Sequence, residues 1–217
     1  MARLAFALVG AAFVLRLVLV FLPELGRDEA AYLYWTWHPR PEYSPLLQTQ
    51  ILLARVVSDA PWLLRSSQLV VSALTLFFFG QWMRARGQVP CANVAALACV
   101  PWLVFVGGVL HPDGLLVLGL VLFALGVEEG RSWKVAVGAA ICVGAKLTGL
   151  LPAVVAVWWL GRRRDWIQFG CLIVVLVGFA LTLRPESIEA AREFARIEAG
   201  MLTRMGILLL EIVLIGG

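Results

Sequence analysis

The sequence runs to 217 residues, 61% of them hydrophobic and only 15% charged, whereas soluble domains sit nearer half apolar and a quarter charged. Its formal charge of +4 is scattered, with no basic run longer than Arg162-Arg163-Arg164, and this excludes nucleic acid as a partner. Nine tryptophans and twenty glycines fit a membrane protein, where Trp marks the interfaces and Gly is tolerated inside spanning helices.

After Met1-Ala2-Arg3 an apolar run continues to Leu22. At about 19 residues it is too long for a signal-peptide core, and no small-x-small cleavage site follows, so it reads as a retained first span. Arg16 inside it calls for a bundle-facing or snorkelling partner. Residues 23–63 form the next segment. In it Tyr32, Tyr34, Trp35 and Trp37 read as an interfacial belt. Residues 46–58 carry apolar groups at helical spacing and a polar face of Gln48, Thr49, Gln50, Arg55 and Ser58. At about 13 residues this stretch suits a helix lying flat in the interface.

Further spans are expected at 64–83, 89–109, 113–127, 132–145, 147–161 and 166–183, with a final apolar run from 205. A Lys at mid-membrane is expensive, so Gly144-Ala145-Lys146-Leu147-Thr148-Gly149 predicts a helical hairpin with Lys146 at its tip. Cys91, Cys99, Cys142 and Cys171 lie in apolar stretches without CxxC spacing and read as buried thiols, neither disulfides nor metal ligands. The expected fold is a single all-α, polytopic membrane domain of seven or eight transmembrane helices. Two or three interfacial helices fill its first outer loop.

Charge tests the topology. With the N-terminus inside, the inner loops hold Arg3, Arg84, Arg86, Arg131, Lys134 and Arg162 to Arg164 against Glu128, Glu129 and Asp165, a net of +5. The outer segments hold nine bases and ten acids. Counting 46–58 as a span would reverse every later loop and put the basic ones outside, so the flat-helix reading is preferred.

That topology gathers polar residues on the outer side. They are Asp28 and Glu29 after the first span, Glu42 and Tyr43 in Pro41-Glu42-Tyr43-Ser44-Pro45, His111 and Asp113 in His111-Pro112-Asp113-Gly114, and Lys146. The amphipathic segment 184–204 adds Arg184, Arg192 and Arg196, with Arg204 at its end. Each also has a plain structural reading. Asp28 and Glu29 suit the first turn of a helix, and His-Pro-Asp-Gly is an ordinary turn leading into an N-cap. Most arginines of 184–204 alternate with glutamates and suit a solvated face. Lys146 is the hardest to explain without a partner or a task.

Five motifs, in order, carry a resemblance over about residues 5–160. They are Asp28-Glu29-Ala30-Ala31-Tyr32; Pro41-Glu42-Tyr43-Ser44-Pro45-Leu46-Leu47-Gln48; Leu63-Leu64-Arg65-Ser66-Ser67; Pro101 followed by Pro112-Asp113-Gly114-Leu115-Leu116; and Ala145-Lys146-Leu147-Thr148-Gly149-Leu150-Leu151-Pro152. Their order resembles the GT-C superfamily of polyprenyl-phosphate-sugar glycosyltransferases, in the branch of protein O-mannosyltransferases and aminoarabinose (lipid A) transferases. Tyr43-Ser44 stands where that branch usually has Lys-Pro, and familiar members continue with further spans or a soluble domain. A minimal transferase, a fragment and a relative without activity are all compatible with this.

The resemblance implies transfer of a sugar, with inversion, from a polyprenyl-phosphate carrier to a hydroxyl acceptor at the outer face of a bacterial inner membrane. Asp28 would be the base and Asp113 a second catalytic carboxylate, orienting the acceptor, supporting Lys146, or joining Glu42 and His111 around a cation. Lys146 would stabilise the lipid phosphate, assisted by Arg192, Arg196 or Arg204, with Glu29, Glu42, Tyr43 and His111 as further substrate contacts. No obligatory metal is expected. Expected partners are the lipid-linked sugar and membrane lipid, with the acceptor open among lipid, glycan and protein, and with an oligomer or a second subunit also open. Two other readings remain, a non-catalytic lipid-binding or scaffold subunit and a flippase or transporter. The latter would want polar groups deep in several spans.

Overall fold

The computed structural model describes residues 2–38 and 44–182, and every regular element among them is helical. The expected Glu42, Tyr43, Arg192, Arg196 and Arg204, the segment 184–204 and the last apolar run lie outside the described residues. In chain order the helices are α1 (Ala2–Val20), α2 (Arg27–Trp37), α3 (Pro45–Arg55), α4 (Pro61–Ala85), α5 (Pro90–Ala98), α6 (Pro101–Val106), α7 (Pro112–Glu129), α8 (Ser132–Ala145), α9 (Leu150–Arg163) and α10 (Trp166–Thr182). A 3-10 turn, Leu147–Gly149, joins α8 to α9.

Proline punctuates the chain. Five helices, α3 to α7, carry Pro in their first turn, where its missing N–H costs nothing and its fixed φ suits the helix. Pro101 corrects one expectation. The span foreseen over 89–109 is two helices, parted at Cys99 and Val100, because Pro101 cannot donate to the preceding turn and forces Val100 into extended backbone (φ −60°, ψ 119°). At the break Ala98 O accepts from Arg16 Nη2 of α1 at 3.1 Å, and the same nitrogen donates to Leu103 O in the first turn of α6 at 3.2 Å. Arg16 therefore has its partner inside the bundle.

By length and composition, α1 over Arg3–Val20 and α4 over Pro61–Ala85 can cross a membrane. Apolar α8 and α10 are shorter, and at fourteen residues α8 covers about 21 Å of a hydrocarbon core about 30 Å thick. The thiols are also corrected: Cys142 is buried, but Cys91 and Cys171 are exposed on helix surfaces and Cys99 is exposed at the break between α5 and α6, all four unbridged.

Packing is tightest between α7 and α8, an antiparallel hairpin closed by glycines. A Cβ on Gly138 would lie 2.5 Å from Phe123 N and 2.7 Å from Gly119 O, so the two backbones touch directly. Lys146, in extended backbone (φ −161°, ψ 150°), ends α8 and turns the chain into α9. The return is close enough that a Cβ on Gly149 would collide with Cys142 O.

Helices α4 and α7 run parallel. Gln68 faces the His111 carbonyl near their starts, and Arg86 pairs with Glu128 (3.9 Å) near their ends. Charge is consequently segregated. One end gathers Arg86, Glu128, Glu129, Arg131 and Lys134, with Arg163 Nη1 donating to Gly130 O (3.1 Å). The other gathers Glu29, Arg65, His111, Asp113 and Lys146.

Helix α3 is eleven residues long, about 16 Å. It buries Leu47, Gln48 and Ile51, and its two apolar residues join Leu64, Val71, Leu110, Leu115, Leu118 and Ala145 in one cluster. That cluster seats α2 and α3 on the second end. Arg55 fastens their far ends, lying 3.9 Å above the Trp37 ring while donating to Thr36 Oγ1 (3.0 Å) and Asp59 (2.6 Å).

Candidate functional site

The end that carries Lys146 is organised by a buried ion pair. Arg65 sits in the second turn of α4 and Glu29 in the first turn of α2, with their side chains 2% and 5% exposed. Arg65 Nε and Nη2 donate to the two Glu29 oxygens at 2.8 and 2.6 Å. Glu29 also accepts from Leu110 N and Gly26 N, both at 2.8 Å. Arg65 spends its remaining donors on carbonyls that leave α1, among them Leu22 O at 2.7 Å. Burial alone would raise the Glu29 pKa, but the bonds from Arg65, Leu110 N and Gly26 N, with the Arg65 charge, hold it below the usual carboxylate range.

Both Glu29 oxygens are thus occupied by protein donors. The substrate contact expected of Glu29 is corrected to a structural task, tying the end of α1, the start of α2, α4 and the strap before α7 into one knot. The sequence signal for it was Arg65 itself, an arginine in an apolar run that must have a partner.

The knot fixes what its neighbours present. Asp28, next to Glu29, is exposed, and one turn on, Tyr32 packs edge-on against His111 with ring centroids 6.3 Å apart. Trp102 of α6 flanks the same imidazole at 5.3 Å. The sequence places Tyr32 in an interfacial belt and gives Trp102 no site role, because only the tertiary fold brings α2, α6 and the His111 strap together.

His111 is the N-cap of α7, its Nδ1 accepting from Asp113 N at 3.2 Å. This puts the cap on His111 and leaves the Asp113 carboxylate free of that task. It also leaves Nδ1 unprotonated, so the neutral ring carries its proton on Nε2. Burial pushes the His111 pKa down, with the negative charge of Asp113 opposing, Lys146 reinforcing and Asp28 opposing again. Tyr32 is pushed up to about 12 by burial and by the charges of Asp28 and Asp113, and so keeps its phenolic proton.

Asp113 Oδ1 lies 3.5 Å from Lys146 Nζ, and Oδ2 lies 3.8 Å from His111 Nδ1. Lys146 remains one-third exposed and Asp113 18% exposed. His111, Asp113 and Lys146 therefore meet at one end, and Asp28, on a third stretch of chain, is near enough for its charge to act on His111 and Tyr32. An exposed carboxylate, a cation steadied by a second carboxylate, and two neutral donors can accept a proton from one group while binding an anion on its neighbour. Among the described residues no cluster of three or more His, Cys, Asp or Glu side chains is placed to hold a metal ion.

Comparison with family models, with characterised protein sequences and with solved structures gives no match.

Proposed function

We propose that this chain is a polytopic membrane glycosyltransferase that moves a sugar from a polyprenyl-phosphate carrier to a hydroxyl acceptor, with inversion. The reacting end is the one bearing Asp28, and it faces the outer side of a bacterial inner membrane. The observation that carries the reading is the contact of Asp113 with both Lys146 and His111 at one end of an apolar helical bundle, with exposed Asp28 near enough for its charge to act on His111.

Membrane residence is supported by what the long helices leave uncovered. Along α1 and α4, Leu4, Phe6, Phe13, Val18, Val70 and Phe77 are all exposed, whereas the core helix of a soluble protein would bury such side chains. Helices too short for an unperturbed bilayer are accommodated by local thinning. In this reading seven or eight segments cross, and α2 and α3 lie along the outer interface with Tyr34, Trp37 and Leu53 exposed. The basic end, holding Arg86, Arg131 and Lys134, faces the cytoplasm.

The chemistry follows from the charges. The acceptor oxygen attacks the anomeric carbon as the bond from that carbon to the phosphate oxygen breaks. Asp28 takes the acceptor's proton, since a hydroxyl is a weak nucleophile near neutral pH. Lys146 meets the negative charge developing on the phosphate, and Asp113 positions Lys146. Tyr32 O–H and His111 Nε2–H are donors for sugar or phosphate oxygens.

The test is transfer of label from a panel of radiolabelled polyprenyl-phosphate sugars to membrane extract. Wild type should move label, and Asp28→Asn should lower the rate by about 10²- to 10⁴-fold. Lys146→Ala should lower it by about 10²- to 10³-fold. Donor that binds wild type and Asp28→Asn equally, with no turnover by either, would leave a non-catalytic lipid-binding subunit as the reading.

A further inference from the structure

A second feature lies at the opposite, basic end, far from the residues above. Between the first turns of α1, the last turns of α4 and the start of α5 runs a groove of about 270 Å³. Its walls are apolar, built by Ala5, Phe6 and Val9 of α1, Leu76 and Phe77 of α4 and Val94 of α5. Gly80 leaves its floor low: a Cβ there would only touch Val94, at 3.5 Å. The polar lining is Gln81 and Arg84, the latter in the last turn of α4. Arg84 is exposed and forms no ion pair among the described residues, whereas Arg86, two residues on, reaches Glu128.

An apolar slot with an uncompensated guanidinium at its rim suits a molecule with a hydrocarbon chain and an anionic head. Neither feature alone selects such a ligand, but together they do. A hydrocarbon chain without charge leaves Arg84 unused, and a free anion gains nothing from Phe6 and Phe77. Guanidinium binds phosphate bidentately, and basic residues at a membrane surface draw anionic lipids toward them.

We propose that this groove is a binding site for an anionic phospholipid of the leaflet that meets the basic end. Its acyl chain lies between α1, α4 and α5, its phosphate sits on Arg84, and the Gln81 amide is a second donor. The site rests on membrane residence but not on sugar transfer, and it is remote from Asp28, so the two readings fail separately.

Native mass spectrometry of the detergent-purified chain with phosphatidylglycerol or phosphatidylcholine tests it. Phosphatidylglycerol should be retained over phosphatidylcholine by about fivefold, the effect of one surface arginine on an anionic lipid. Arg84→Gln should abolish that preference, and Gly80→Phe should shed both lipids. Cys91 lines the same groove and is exposed, which gives a second measurement that leaves the groove intact. In a Cys99→Ser/Cys171→Ser background, maleimide labelling of Cys91 should be slowed by phosphatidylglycerol and not by phosphatidylcholine. Equal retention of the two lipids by wild type overturns the proposal, as does Cys91 labelling indifferent to phosphatidylglycerol.

Discussion

Removing either half of the Glu29–Arg65 pair should unravel the end of the bundle that presents Asp28 and His111. Glu29→Ala deprives four donors of their acceptor: Arg65 Nε and Nη2, Leu110 N and Gly26 N. Arg65→Met strips the Leu22 and Glu24 carbonyls as well as the carboxylate. Leaving one member of a buried pair uncompensated costs about 3–5 kcal/mol, and the 2% and 5% exposures leave little room for water to compensate. For a chain of this size that corresponds to a fall in Tm of roughly 6–20 °C.

The assay is thermal unfolding of detergent-purified variants followed by size-exclusion chromatography with fluorescence detection. The double variant Glu29→Leu/Arg65→Met should be less destabilised than the two single changes combined, by about 1–3 kcal/mol, because neither charge is then stranded. The pair also has a pH signature. Its folded carboxyl lies below the unfolded value, so its contribution is complete above about pH 4.3. As pH falls further, toward and through the depressed folded pKa, that contribution is lost, and Glu29→Gln should flatten that limb. A Tm for Glu29→Ala within about 2 °C of wild type, or strict additivity in the double variant, would refute the knot as the support of this end.

Two further outcomes follow from close contacts and from the helix cap. Gly138→Ala forces the α7 and α8 backbones apart and should cost about 1–3 kcal/mol. Gly10→Ala, with nothing within 4 Å of the added methyl, should be neutral or stabilising by up to about 1 kcal/mol; the same thermal assay compares them. His111, whose pKa is pushed down by burial, contributes stability that is complete above about pH 6.5. That contribution is lost as pH falls toward its folded pKa, because the unfolded ring takes up a proton first. His111→Asn keeps a capping acceptor and should remove this pH dependence of Tm, which a persistent slope would contradict.

The sequence by itself determined the all-helical class, the places where most helices start and stop, and the two charge-segregated ends. These depend on local quantities. Prolines fix first turns, Gly144 to Gly149 cannot continue a helix through Lys146 at little cost, and charged loops alternate along the chain. Pro101 signals the division of 89–109 within a continuous apolar run, and the side chain that bridges the break, Arg16 bonded to Ala98 O and Leu103 O, lies more than eighty residues away.

Only the tertiary structure decided which polar residues serve the fold and which face outward. Asp28 and Glu29 are neighbours of the same charge, and no local pattern separates them. Successive helical residues point about 100° apart, so seating α2 on α3 and the shared apolar cluster turns Glu29 onto Arg65 of α4 and leaves Asp28 exposed. In the same way, Tyr32 and Trp102 enclose His111 because three distant segments are packed at one end, a placement set by apolar packing and backbone hydrogen bonds that sequence spacing does not record.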